Sequence, residues 1–189
     1  MASARGIKKK KDEAKPRCSG TMPEAHYLAW IRSALRSKWL RWPPRAEALK
    51  AAQVPYVGEN ARRKYSYKCA MCSGLFAQKE VEVDHHPLEA GSILSVEDIG
   101  AFVNRLYCEA NNLRVVCKPC HKAHTLAQSQ GISLEEAKAI KRAIEWAKKP
   151  KKEVVAFLEE HGYNANTAGN ASKRRTALVE IFLKENQNG

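Results

Sequence analysis

Residues 110–125 read ANNLRVVCKPCHKAHT and hold the features that decide the fold of this chain. The segment LRVV is typical of a strand. Cys117 and Cys120 follow it with a two-residue gap, which lets one turn bring both sulfurs to a single metal ion. His121 comes next, where the pattern predicts the start of a helix. A strand, a pair of metal ligands and a histidine therefore follow one another directly.

A second pair with the same spacing, Cys69 and Cys72, lies upstream in CAMC. Two such pairs predict one four-thiolate zinc site, Cys69, Cys72, Cys117 and Cys120. A redox C-x-x-C is the alternative for a single pair, but no thioredoxin-like βαβ pattern accompanies either one. Forty-four residues separate Cys72 from Cys117, whereas a compact zinc ribbon has roughly 15–20. A folded segment is therefore expected between the pairs.

That intervening segment contains VEVDHHPL at 81–88. Valines alternate with Glu82 and Asp84, which predicts a strand that runs into a turn at the proline. Asp84, His85 and His86 gather at its end. A metal site, an acid–base pair and a polar loop all fit this local pattern.

The charge of the chain favours an anionic partner. Its 189 residues carry 33 Lys and Arg against 20 Asp and Glu, a formal net charge of +13, which is typical of proteins that bind nucleic acid. A membrane surface is the competing interpretation, but no apolar run reaches the roughly 18–20 residues of a spanning helix. We therefore expect nucleic acid as the partner and no membrane.

The first seventeen residues carry seven basic side chains and no hydrophobic stretch of the kind a secretory signal needs. They predict a disordered basic tail, which can also follow phosphates. Without a signal, the six cysteines are expected in a reducing cytosol, where metal binding is favoured over disulfides. Cys18 and Cys108 lack partner spacing and are interpreted as a tail thiol and a small core residue.

Helical patterns flank the central region. The stretch at 23–40 has an apolar stripe with Trp30 and Trp39, which favours packing over base stacking. Ser133 and Glu136 form a capping box for a later helix, with Leu134, Ala137, Ile140, Ile144 and Ala147 predicted on one face. Two more helices are predicted near 151–162 and 173–185, as a DNA-binding addition or a plain brace. The predicted organisation is a tail (1–20), N-terminal helices (21–53), a zinc-braced core (54–130) and a helical appendage (131–189).

The order C-x2-C, V-D-H, N-L, C-x2-C-H covers roughly residues 65–125 and resembles the HNH endonuclease family. The flanks, including IRSALRSKWLRWPP and EDIGAFVNRLYCE, are similar to HNH endonucleases of tailed phages. The resemblance implies an α+β fold, in which a ββα-metal finger is braced by a four-cysteine zinc site and flanked by N- and C-terminal helices. It also implies action in the cytoplasm of an infected bacterial host.

Carried over position by position, the resemblance makes Asp84 and His121 ligands of a catalytic divalent ion, His85 the general base and Asn112 the residue that holds the loop. The ion is expected to be Mg²⁺, Mn²⁺ or another divalent metal, beside the structural Zn²⁺. This chain departs from the family pattern at two places. His86 stands where an aliphatic residue is usual, and His124 replaces the lysine of a CHxxKT ending. Each extra histidine is interpreted as a metal support, a phosphate contact or a polar surface group.

These residues suit phosphodiester hydrolysis. A neutral imidazole, with an ordinary pKa of about 6.5, can take a proton from water, and a divalent ion can stabilise the phosphate and the leaving oxygen. The sequence therefore predicts a metal-dependent DNA endonuclease. The alternative is a non-catalytic zinc-containing DNA-binding protein; an interaction module that had lost cutting would lack the base or a ligand. Contacts to DNA are predicted for five basic residues, Arg62, Arg63, Lys64, Lys118 and Lys122.

Overall fold

The computed structural model describes residues 14–60, 62–87, 89–164 and 169–187. Most of the predicted basic tail lies outside these residues. The described part of the chain forms seven α-helices and five β-strands, which confirms the predicted mixture of helices and strands. The helices are α1 (Glu24–Trp39), α2 (Pro43–Ala51), α3 (Ile99–Leu106), α4 (Lys118–Gln130), α5 (Leu134–Trp146), α6 (Lys151–Glu160) and α7 (Ala171–Gln187). The strands are β1 (Gln53–Pro55), β2 (Tyr65–Lys68), β3 (Leu75–Phe76), β4 (Val81–His85) and β5 (Leu113–Cys117).

The chain divides into two compact units. The first combines Met1–Ala51 with His85–Arg114, and the second combines Ala52–Asp84 with Val115–Gly189. The divisions fall within β4 and β5, which pair in a two-stranded sheet. The domain boundaries expected from the sequence stay a prediction.

Helices α1, α2 and α3 belong to the first unit. Helix α1 begins directly after Pro23, where a missing N–H costs nothing. Its residues Ile31, Leu35 and Trp39 recur every four positions and pack against the core of this unit. That core contains Leu28, Ala90, Ile93, Phe102 and Leu106.

One residue of the predicted tryptophan stripe does not pack. Trp30 is 67% exposed, whereas Trp39 contacts the core of its unit. The expectation that both rings pack is wrong for Trp30, because a helix turns by about 100° per residue and Trp30 precedes the packed Ile31 by one position. The α1 stripe is therefore narrower than the sequence suggests.

The second unit begins with a small antiparallel sheet in the order β1–β2–β3. Tyr67 lies opposite Gln53 on one side and Phe76 on the other, and it is buried. The Cys69–Cys72 turn follows β2 directly. The sheet thus leads the chain into the first cysteine pair.

Helices α5, α6 and α7 build the main apolar core of the second unit. The Ser133 half of the predicted capping box is confirmed, since Ser133 Oγ accepts a hydrogen bond from the Glu136 N–H at 3.1 Å. The fully buried α5 residues are Ala137, Ala139 and Ala143, while Ala147, predicted on the same face, is exposed. These small side chains let the neighbouring helix approach closely. Ala139 and Ala143 pack in one cluster with residues of α6 and α7, namely Val154, Leu158, Ala177, Leu178, Ile181 and Phe182.

A search of the described helices for a membrane span found none that is both long and apolar enough to cross a bilayer.

Candidate functional site

Four cysteines meet in the second unit. The sulfurs of Cys69, Cys72, Cys117 and Cys120 all lie within 4.8 Å of one another, and the Cys72 and Cys117 sulfurs are 3.9 Å apart. A tetrahedral site with Zn–S bonds of about 2.3 Å has sulfurs about 3.8 Å apart. The cluster therefore has the composition and size to hold a metal ion such as zinc.

The backbone around Cys69 favours a thiolate. Its sulfur accepts hydrogen bonds from the N–H groups of Met71 at 3.4 Å and Cys117 at 3.2 Å. Burial raises the pKa of Cys69, but backbone hydrogen bonds from Cys117, Cys72 and Met71 outweigh it and lower the pKa to about 7. Burial raises the pKa of Cys117 and of Cys120. These two thiols therefore need a nearby cation to ionise fully.

A second polar group in the same unit joins β4 to α4. Glu82 and Asp84 alternate with buried valines on β4, so both carboxylates lie on one face. Glu82 Oε2 is 2.5 Å from His121 Nδ1, and Asp84 Oδ1 is 3.7 Å from His121 Nε2. In the neutral ring, the Glu82 carboxylate accepts a hydrogen bond from Nδ1–H, so the lone pair is on Nε2, the nitrogen nearer to Asp84. Two electron-rich atoms that face each other favour a cation between them.

The spacing of that pair is a few tenths of an ångström longer than that of two ligands of one ion. Two metal–ligand bonds of about 2.1 Å separate the donor atoms by about 3.4 Å at the tetrahedral angle and by about 3.0 Å at the right angle of octahedral coordination. The Asp84–His121 separation is 3.7 Å. His124 Nδ1 lies 4.0 Å from Asp84 Oδ2, and its Nε2 contacts Gln128 Nε2 at 3.3 Å. His124 thus borders the pair.

His85 lies in the first unit, held on two sides. Its Nε2 is 3.0 Å from the carbonyl oxygen of Leu106, and because a carbonyl only accepts, Nε2 carries the proton. The ring also stacks on Trp39, with centroids 5.0 Å apart and planes at 27°. Nδ1 is the nitrogen that remains as a proton acceptor. Leu106 and Trp39 therefore fix the orientation of the His85 ring.

Asn112 and His86 are connected through the main chain in the same unit. The carbonyl oxygen of Asn112 accepts the His86 N–H at 2.9 Å and contacts the Cys108 sulfur at 3.7 Å. The His86 side chain is exposed. Asn112 therefore ties the end of β4 to the start of β5 by its carbonyl, and the role expected for its side-chain amide stays a prediction.

The basic residues predicted to contact DNA lie at the surface. Lys118 and Lys122 are exposed on α4, one on each side of the Cys120–His121 step. Arg62 and Lys64 are exposed before β2, while Arg63 is half-buried between them. The second unit thus carries all five of these cations.

Three partners in these groups are absent from the sequence-based prediction. Glu82 is detectable in principle, because strand alternation places it on the Asp84 face. Trp39 and the Leu106 carbonyl lie far from His85 along the chain and have no local signal.

Comparisons with models of known protein families, with curated proteins and with solved structures found no match to this chain.

Proposed function

We propose that this protein is a metal-dependent DNA endonuclease of the HNH type, in which a ββα-metal finger formed by β4, β5 and α4 is braced by a structural zinc ion. The observation that carries the proposal is the Asp84–His121 pair, in which Nε2 lies 3.7 Å from the Asp84 carboxylate while Nδ1 contacts Glu82. A zinc module that only bound DNA would need no such pair. The non-catalytic DNA-binding protein is therefore the weaker alternative.

The structural zinc is assigned to the four cysteines. Their sulfur spacing agrees with a tetrahedral thiolate site. Zinc there would fix the start of α4. His121 is the residue directly after Cys120, so the zinc would also fix the position of this histidine.

The reaction follows from the two histidine environments. His85 takes a proton from water at Nδ1, while the Leu106 carbonyl holds the proton on Nε2 and the Trp39 ring limits rotation. Asp84 and His121 are the proposed ligands of the second, catalytic ion. When bound, a divalent ion supplies Lewis-acid stabilisation of the phosphate and the leaving oxygen.

The first test of this proposal is a plasmid assay. Purified protein is incubated with supercoiled plasmid and Mg²⁺, Mn²⁺ or Ni²⁺, and relaxed and linear products are measured by gel electrophoresis. We expect cutting by the wild type and a roughly 10²–10⁴-fold loss of rate in His85→Ala, because general-base catalysis is worth about that much. His26→Ala, which removes an exposed histidine on α1, is the matched control and should cut at the wild-type rate. Plasmid left supercoiled by the wild type under all three metals would overturn the enzyme proposal.

Asp84→Ala tests the ligand role separately. It should abolish cutting while the far-ultraviolet circular dichroism and the zinc content remain those of the wild type, because Asp84 is assigned to the catalytic ion and not to the zinc. Loss of the helical spectrum in this variant would instead identify Asp84 as a structural residue.

A further inference from the structure

A basic cavity of about 410 Å³ lies beside β2 in the second unit. Four cations line it, and three of them, Arg62, Arg63 and Lys64, come from the loop before β2. The fourth, Lys79, belongs to the short 3-10 helix Gln78–Glu80 and is not among the DNA contacts predicted from the sequence. None of the described residues that line the cavity carries a carboxylate. A concave surface of one charge sign concentrates an anionic ligand.

Arg63 is held in place before any ligand arrives. Its Nε donates to the Tyr65 carbonyl at 3.2 Å and its Nη2 donates to Ser66 Oγ at 2.9 Å. The guanidinium also lies 4.4 Å from the centre of the Tyr56 ring, and Ser66 is only 3% exposed. A guanidinium fixed in this way loses little conformational entropy on binding and still has further N–H donors.

We propose that this cavity binds the phosphodiester backbone of the DNA that the protein cuts. Arg62, Lys64 and Lys79 supply charge to the phosphates, and Arg63 supplies oriented hydrogen-bond donors. The Tyr65 ring, in a residue that is 49% exposed, offers a flat surface to the neighbouring sugar or base. The identification of the ligand as DNA rests on the proposed function; the anionic character of the ligand rests on the cavity itself.

The cavity is well situated to anchor a strand near the proposed site of cutting. The 3-10 helix Gln78–Glu80 leads directly into β4, and Lys79 precedes Asp84 by five residues, a reach of at most about 18 Å. Both residues belong to the second unit. A backbone held at Lys79 therefore lies within about that reach of Asp84 on β4.

Salt dependence of binding provides the test. Binding of a labelled DNA duplex is measured by fluorescence anisotropy at several salt concentrations, in the His85→Ala background so that the DNA stays intact. A triple variant in this background carries Arg62→Gln, Lys64→Gln and Lys79→Gln. The slope of log K against log[salt] should become less steep by about 2.7, since each lost phosphate contact is worth about 0.9. Lys79→Gln alone, at an exposed position, should lower it by about 0.9.

A charge-matched variant separates the cavity from general attraction. Lys38→Gln, Arg41→Gln and Lys50→Gln remove three exposed cations of the first unit and should leave the slope unchanged. Equal changes of slope in the two triple variants would overturn the cavity proposal. Tighter binding of an RNA duplex of the same length would overturn the identification of the ligand as DNA. Circular dichroism and zinc content establish that each variant is folded. If the slope changes as expected but no metal supports cutting, the cavity proposal is supported and the endonuclease proposal is wrong. If the protein cuts DNA but the slopes are unchanged, the endonuclease proposal is supported and the cavity proposal is wrong.

Discussion

His85 and His121 differ in which ring nitrogen contacts a hydrogen-bond acceptor. At His85 the Leu106 carbonyl occupies Nε2, which leaves Nδ1 to accept a proton. At His121 the Glu82 carboxylate occupies Nδ1, which leaves Nε2 directed at Asp84. Under the proposed function, the acceptor beside each ring would leave His85 able to take a proton and His121 able to bind a metal ion.

Glu82 is predicted to act through His121. Because partners that orient a metal-binding histidine are typically worth 10–100-fold in affinity, Glu82→Ala should weaken Mn²⁺ binding by about 10–100-fold. Glu82→Gln, which keeps an acceptor oxygen without the charge, should recover part of the loss. Isothermal titration calorimetry of Mn²⁺ into the zinc-loaded protein measures the change.

Two controls define this result. Glu159→Ala, at an exposed position on α6, should bind Mn²⁺ as the wild type does. The zinc content of Glu82→Ala should also be unchanged, because Glu82 contacts His121 and not the cysteines. Wild-type Mn²⁺ affinity in Glu82→Ala would show that the contact does not support the ion.

At the scale of elements, the start of α4 serves two groups at once. Cys120 is buried among the sulfurs, while His121, the next residue, faces the carboxylates of β4. Consecutive helical residues point about 100° apart, so one turn can address both groups. Bracing of this turn by the cysteines would therefore also set the geometry of the Asp84–His121 pair.

Removal of one zinc ligand tests that coupling. Cys72 is the exposed member of the four, so Cys72→Ser removes little packing, and its effect reports on the metal. We expect zinc content to fall from about one equivalent per chain to near zero, with loss of helical signal and of cutting, because metal-binding energy at such sites is folding energy. Cys18→Ser, at another exposed cysteine, should keep its zinc. The absence of stoichiometric zinc in the wild type would contradict the assignment.

Across the whole molecule, the features predictable from the sequence are those set by neighbours in the chain. The cysteine spacing, the Ser133 cap and the alternation on β4 are local patterns, and the cysteine cluster and the cap are found in the structure. The Trp39 stack on His85 depends on residues far apart in sequence, which no periodic pattern encodes. The exposed Trp30 shows the same limit, because residue type alone does not determine which edge of a helix faces the core.

The exposed position of Cys72 has a consequence for oxidation. Its three partner cysteines are buried, so Cys72 is the member of the cluster most open to an oxidant. Conversion of this thiolate to a sulfenic acid would remove one zinc ligand while leaving His85 chemically intact. Loss of the ion would then loosen the start of α4 and displace His121. Peroxide would thus stop DNA cutting by the proposed nuclease by removing zinc from the four-cysteine site. A thiol reductant supplied with zinc would restore the activity.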